Sequence, residues 1–299
     1  MKRILVIGDL LTDRYRFLKP LRSDPANNAA LVVEGEREEM VDGGAGNLVR
    51  NLESLCGEEV HFFYAGERFP IKIRYYVDGQ FLLREDEDDA ITHDEKVIDE
   101  FVDFIEPEDL VIISDYHKGT VEQEDVVRII KRSREVDNVT VFIDTNFVYA
   151  EHKNADWLKI NLKTAQECVN KTDKNIAKTI SKISNSNVIV TKGAVGFVTY
   201  LKDLEQTICF TKDVNKSFID SIGAGDTFLA GFVSYMARHN TGELPALVYA
   251  DIVAHLSTSQ LGTIDAVTAA MADKEYRDAK TSMKEEEDTL YVHRTIDNV

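Results

Sequence analysis

The chain has 299 residues, 43% hydrophobic and 29% charged, with 53 acidic against 35 basic side chains and a net charge of −18. That length and apolar content are enough for a large buried core. The acidic excess argues against nucleic acid or an anionic membrane surface as partner, and no apolar run approaches the roughly 20 residues a membrane span needs.

MKRILVIG at the start is too short for a secretion leader and reads as a buried strand. RILVIG (3–8), DLVIIS (109–114), VTVFID (139–144), DWLKIN (156–161) and NVIVTK (187–192) are short apolar runs of the kind that fill a parallel sheet. Between them, residues 48–56, 95–105, 123–136 and 175–184 carry apolar residues at helical spacing. The alternation predicts an α/β fold with helices on both faces of the sheet. Residues 28–41 and 71–84 break the rhythm as antiparallel strands. In the second, VDGQ supplies an Asp-Gly turn between alternating runs, so a small β-flap is expected. Cys56, Cys168 and Cys209 are scattered, with no CxxC pair, and read as reduced thiols of a cytoplasmic protein. The acidic runs at 34–39, 85–89 and 284–288 read as solvated surface, and the chain from Met283 onward as an appended tail or a terminal strand.

Ligands of open parallel sheets bind beyond the carboxyl ends of the strands. Here those ends carry Gly8-Asp9, Ser114-Asp115, Asp144, Asn161 and Thr191-Lys192-Gly193. Neither GxxxxGK[ST] nor a GxGxxG turn after the first strand is present. The sequence offers a different device in DSIGAGD (220–226), which runs into the helical pattern TFLAGFVSYMARH. Gly223 and Gly225 let backbone N–H groups converge at a helix N-terminus, an anion site. A carboxylate there would repel an anion. Asp226 makes sense as a base that takes a hydroxyl proton while the amides hold a transferring phosphoryl group.

DSIGAGD resembles the C-terminal signature of the ribokinase-like (PfkB) carbohydrate kinases, and GGAGNL (43–48) resembles their second, Gly-Gly signature. Within that family the chain is most similar to the heptose 7-phosphate kinases of ADP-heptose synthesis. VIGDLLTDRY (6–15), IKIRYYVDGQFLLRED (71–86), ISDYHKG (113–119), FIDTN (142–146), INLKTAQE (160–167), VTKGAVG (190–196) and QLGT (260–263) follow in the expected order. The resemblance implies a three-layer α/β sandwich with a mainly parallel central sheet and a small β-sheet lid. The kinase domain would span 1–282, with lid strands near 14–41 and 68–86, followed by an acidic tail, 283–299.

By the same resemblance, Asp226 is the catalytic base and Gly223, Ala224 and Gly225 form the anion hole. Asp9 and Asp13 would bond sugar hydroxyls; Gly43, Gly44 and Asn47 would receive the sugar. Lys72, Arg74 and Arg84, with Lys118, would meet a phosphate already on the substrate. Asn161, Thr191, Lys192, Gly193 and Gly196 would hold ATP with Mg²⁺, and the segment around 250–262 the adenine and a monovalent cation such as K⁺. A homodimer through the lid is the implied assembly.

Two departures stand out. The Asn-x-x-Glu expected on the Mg²⁺ side is Asn161 followed by Thr164, with Glu167 further on. One strand–helix unit is missing between the GGAGN helix and the flap. No H-x-G-H nucleotidyltransferase string occurs. The leading expectation is phosphoryl transfer to the anomeric hydroxyl of a heptose 7-phosphate. A kinase for another sugar or a nucleoside, and a catalytically silent homologue that binds sugar or nucleotide, remain as alternatives.

Overall fold

The structure, a computed structural model, describes residues 1–26, 30–57, 60–87, 93–147, 152–169, 175–213 and 218–295. Strand β1 (Ile4–Gly8) sits inside a parallel block with β4 (His61–Phe63), β7 (Leu110–Asp115), β8 (Thr140–Thr145), β9 (Trp157–Asn161) and β10 (Asn187–Thr191). Alternate residues of β1 enter opposite cores: Ile4 and Val6 face one, Leu5 and Ile7 the other. Strands buried on both faces read as unbroken apolar runs, so β1, β7, β8, β9 and β10 were legible in the sequence, whereas β4, three residues long and half-buried, was not. Antiparallel β11 (Phe197–Leu201) and β12 (Gln206–Lys212) extend the sheet beyond β10.

One helical layer contains α1 (Ala45–Cys56), α6 (Ala224–Arg238), α7 (Glu243–Ser257) and α8 (Ala269–Asp278). The other contains α2 (Glu95–Phe104), α3 (Gln123–Glu135) and α5 (Ile176–Ser184). Helix α4 (Leu162–Cys168) leaves β9 directly, with the Asn161 side chain capping it through Thr164 N at 2.9 Å. Helix α6 is buried nearly all round, and most of its residues are apolar. It lies close to α7 because Gly231 has no side chain: a Cβ there would stand 3.0 Å from Ala250 Cα.

The lid is a separate four-stranded sheet in the order β3 (Leu31–Gly44), β2 (Leu10–Ser23), β5 (Ile71–Val77), β6 (Gln80–Glu87). Its β5–β6 hairpin turns at Asp78-Gly79, both at positive φ (49° and 76°), as the Asp-Gly dipeptide predicts. Strand β2 begins only two residues after β1 ends, earlier than the expected boundary at 14, which places Asp13 on a lid strand.

The terminal segment is a correction. Residues 283–295 are not a detached tail: β13 (Lys280–Glu286) and β14 (Thr289–Thr295) form a hairpin, and β14 pairs in parallel with β12. Residues 296–299 lie outside the described residues. Composition left tail and terminal strand both open because β13 is exposed throughout and has no apolar face.

Candidate active site

Helix α6 starts at a bend that only glycine tolerates easily. Gly223 has φ +73°, and a Cβ there would lie 2.5 Å from Thr263 Cγ2. The Ala224 amide closes a turn onto Ser221 O at 3.2 Å, and the first bond to the carbonyl four residues back is Thr227 N to Gly223 O at 2.9 Å. Of the expected anion-hole residues, then, Ala224 spends its donor within the turn. The amides of Gly225 and Asp226 lie among the helix's first donors, at the positive end of its dipole.

Asp226 is 5% exposed. Its Oδ2 accepts from Asn47 Nδ2 at 2.9 Å, and its Oδ1 accepts the Tyr116 hydroxyl. Asn47 is fixed in turn, since its Oδ1 accepts from Arg50 (3.2 Å) and Asn51 (3.0 Å) on the next turn of α1. Burial first, and then the nearby Asp144 carboxylate, push the Asp226 carboxyl up to about 6; Lys159, Tyr116 and Asn47 oppose the shift. A carboxyl poised near neutrality suits a general base.

Lys159 went unassigned in the sequence. It stands opposite Asp144 in the β8–β9 register, buried, with Nζ 2.7 Å from both carboxylate oxygens. A Cβ on Gly225 would lie 3.3 Å from that Nζ, so the ammonium sits beneath the start of α6. The available signal was a lone lysine in the apolar strand WLKIN, beside a strand ending in aspartate. Tyr116 carried no such signal. Its contact with Asp226 spans 110 residues and depends on the turn after β7.

Two cavities meet here. One of about 700 Å³ is lined by Asn161, Thr191, Lys192, Gly193 and Gly196, all five residues expected on the nucleotide side. The other, about 130 Å³, is lined by Asp226, Tyr116, Asp144 and Lys159. Asn161, Thr191 and Gly225 line both. A ligand in the large cavity would thus approach Asp226 past Gly225.

On the lid side the structure revises several roles. The Asp9 carboxylate, 1% exposed, accepts the amides of Tyr116 (2.7 Å), Lys118 (3.0 Å) and Thr120 (3.2 Å). It shapes the turn that presents Tyr116. Asp13 is paired with Arg74 in a buried salt bridge and accepts from Thr263 Oγ1 at 3.1 Å. Arg74 is therefore not a free phosphate ligand. Gly43 lets the Asp13 carboxylate pack against it: a Cβ would meet Oδ2 at 2.4 Å. Gly44 caps α1 at φ +58°. Arg84 pairs with Asp86 at 2.8 Å at the lid surface. Lys72 is half-buried with Nζ 5.4 Å from the centre of the Tyr116 ring. Burial, opposed by Asp13 and assisted by Arg74, Arg84 and Lys118, pulls its ammonium below the ordinary lysine range. The four cations expected to meet a phosphate thus share one neighbourhood, and Lys72 stands against the Tyr116 ring.

Comparison with known proteins identifies the family. Residues 78–270 match the pfkB family carbohydrate kinase domain. The chain is 28% identical to the bifunctional protein HldE of a Nitratiruptor species over 91% of its own length and 64% of that protein's. To the HldE of Helicobacter pylori (strain HPAG1) it is 28% identical, over 77% of this chain and 57% of that one. It therefore spans less than two thirds of the length of these relatives. Among solved structures, the tetrameric inhibited form of phosphofructokinase-2 from Escherichia coli superposes with a TM-score of 0.71 at 15% identity, covering 93% of this chain and 99% of that one. Arabidopsis thaliana ribokinase complexed with ribose and ATP gives 0.67 at 15% identity, with the same coverage of both chains. With the match covering more than half its length, the chain belongs to the pfkB family of carbohydrate kinases.

Proposed function

We propose that this protein transfers the γ-phosphoryl group of ATP to the anomeric hydroxyl of a heptose 7-phosphate. The observation that carries the transfer is the junction of the two cavities at Gly225, with Asp226 buried on the acceptor side and held by Tyr116 and Asn47. Asp226 takes the hydroxyl proton as the sugar oxygen bonds to the γ-phosphorus; the bond from that phosphorus to the bridging oxygen breaks, and ADP leaves. The Gly225 and Asp226 amides, with the Lys159 ammonium below them, receive the charge on the transferring group.

The choice of a phosphorylated sugar rests on Lys72, with Arg84 and Lys118 behind it, in a chain of net charge −18. A local cationic cluster is what a second phosphate needs there. The relatives named HldE support a heptose phosphate over other phosphorylated sugars.

Mg²⁺ fits the donors present. Among the described residues no three His, Cys, Asp or Glu side chains converge on a metal-binding point. Glu167 lies on the exposed side of α4, 3.9 Å from Lys163. Mg²⁺ commonly binds through phosphates, waters and one or two carboxylates; along the small cavity Asp144, Asn146 and Asn161 carry side-chain oxygens that also accept from Lys159, Asn161 and Thr164 and keep lone pairs for a cation or its waters. When bound, the ion would neutralise charge on the phosphates. K⁺ near 250–262 is part of the same reading. A second copy would meet the lid at β6, whose Phe81, Leu82 and Leu83 are about half exposed.

The test is ADP release from ATP and Mg²⁺ across phosphorylated and free sugars. Release with heptose 7-phosphate well above that with free heptose is expected. Equal release with both would overturn the phosphorylated acceptor, and no release with any sugar would overturn the kinase assignment.

A further inference from the structure

The C-terminal hairpin carries the largest fully buried side chain among the described residues. Arg294 on β14 is 0% exposed. A buried guanidinium needs a partner, and Arg294 has Asp251 of α7: Nε donates to Oδ2 at 2.9 Å and Nη2 lies 2.8 Å from the same oxygen. The other oxygen, Oδ1, accepts Lys212 Nζ at 2.8 Å. Lys212 and Arg294 are register partners on the adjacent parallel strands β12 and β14. Two cations on neighbouring strands thus clamp one carboxylate on the helix packed above them. Glu275 of α8 stands 3.9 Å from the guanidinium and completes the charge balance.

This clamp borders the large cavity. Asp251, Lys212, Ala254 and His255 all line it, beside apolar Phe197 and Phe228. His255, one turn beyond Asp251, is 7% exposed and its Nδ1 is buried without a hydrogen-bond partner. Burial, followed by Arg294 and Lys212, pulls this imidazole down to about 4, so it is neutral at physiological pH.

We propose that β14 belongs to the nucleotide site, with Arg294 a positioning residue that acts through Asp251 to fix the face of α7 walling the cavity, and so sets nucleotide affinity. The inference rests on assigning the large cavity to ATP. Arg294 reaches no ligand itself. Its removal leaves Asp251 tied to Lys212 alone and frees the α7 wall to shift. A misplaced wall weakens ground-state binding more than the chemical step.

The test titrates the full chain calorimetrically with ATP and no sugar, alongside steady-state kinetics. Arg294→Met is expected to raise the ATP Kd and KM about tenfold while lowering kcat far less, and Arg294→Lys to recover most of the affinity. A folded Arg294→Met protein whose ATP Kd stays within about twofold of the parent overturns the proposal, whatever its melting temperature. If that variant does not fold, Arg294→Met/Asp251→Asn removes both charges and is judged by the same criterion. A parent that binds no ATP refutes the cavity assignment and this inference with it.

Discussion

Replacing Asp226 by Asn should make the protein more stable and nearly inactive. The carboxyl is buried and its pKa is raised from 3.8 to about 6. Below about pH 4 both folded and unfolded chains carry the proton, and the group is neutral to stability. As pH rises, the unfolded chain ionises first; once pH passes about 6 the folded chain must hold a buried charge. A difference of about 2 pKa units corresponds to about 3 kcal/mol, lost from the folded state above pH 6. Asn copies the protonated form in shape and charge and does not titrate. It still accepts one of the two donors, Tyr116 or Asn47, and loses about 1 kcal/mol at the other. The net gain at pH 8 is therefore about 2 kcal/mol, shrinking towards zero or below near pH 4.

The assay is urea unfolding of parent and Asp226→Asn proteins at pH 5 and pH 8. It is paired with turnover, which should fall at least about 10²-fold with nucleotide binding retained. A variant no more stable than its parent at pH 8 would show that burial does not strain this carboxyl. Near-normal turnover would remove Asp226 as the base. The two failures are independent, because strain and catalysis are separate consequences of one buried acid.

Tyr116→Phe deletes a hydroxyl that holds the ionised form of Asp226, so the acid limb of the kcat/KM profile, expected near pH 6 in the parent, should move to higher pH. An unmoved limb would detach Tyr116 from the base. Lys72→Met should raise KM for a phosphorylated acceptor at least tenfold, an effect of about 1.4 kcal/mol, and leave KM for ATP nearly unchanged. Equal effects on both would assign Lys72 to the nucleotide. Arg74→Met strands a buried Asp13 carboxylate and should cost about 3–5 kcal/mol in urea unfolding, with much of it restored by adding Asp13→Asn. Loss of activity with unchanged stability would instead place Arg74 on the substrate.

What could be read in the sequence follows from the range of the interactions concerned. Strand β7 and helix α3 announce themselves through neighbours a few residues apart, and DSIGAGD folds into its own turn. The expectation failed where a side chain's partner lay far along the chain. Asp9 sits at a strand end, as a sugar ligand would, but three amides of the 116–120 turn bond it. Arg74 alternates correctly on the flap hairpin, but Asp13 of β2 reaches it first, because the lid brings β2 and β5 into parallel register at Asp13–Lys72 and Tyr15–Arg74. Arg294 lay in the terminal stretch to which the sequence assigned no role, and the pairing of β14 with β12 carries it into the interior.

The resemblance leads one to expect a further strand–helix unit between α1 and the lid, and its bearing on the site follows from where the site's groups stand. Between β4 and β5 only residues 64–70 remain. The edge strand this leaves, β4, packs against α2, where Phe101 and Phe104 pack on Phe63 with ring centres 5.1 and 5.5 Å apart. The helix that follows the lid thus covers one face of the terminal strand β4. None of the reacting groups comes from the shortened region: Asp226 stands on α6, Asn47 on α1, Tyr116 after β7, and Asp144 and Lys159 on β8 and β9. The region does lead straight into β5, and hence to Lys72. A change there alters the wall that selects the acceptor and leaves the groups that move the phosphoryl where they are. The contraction should therefore register as a shift in which sugar phosphate is taken. If activity is absent with every acceptor while ATP still binds, the loss must reach Asp226 itself, and this separation of acceptor wall from catalytic centre is wrong.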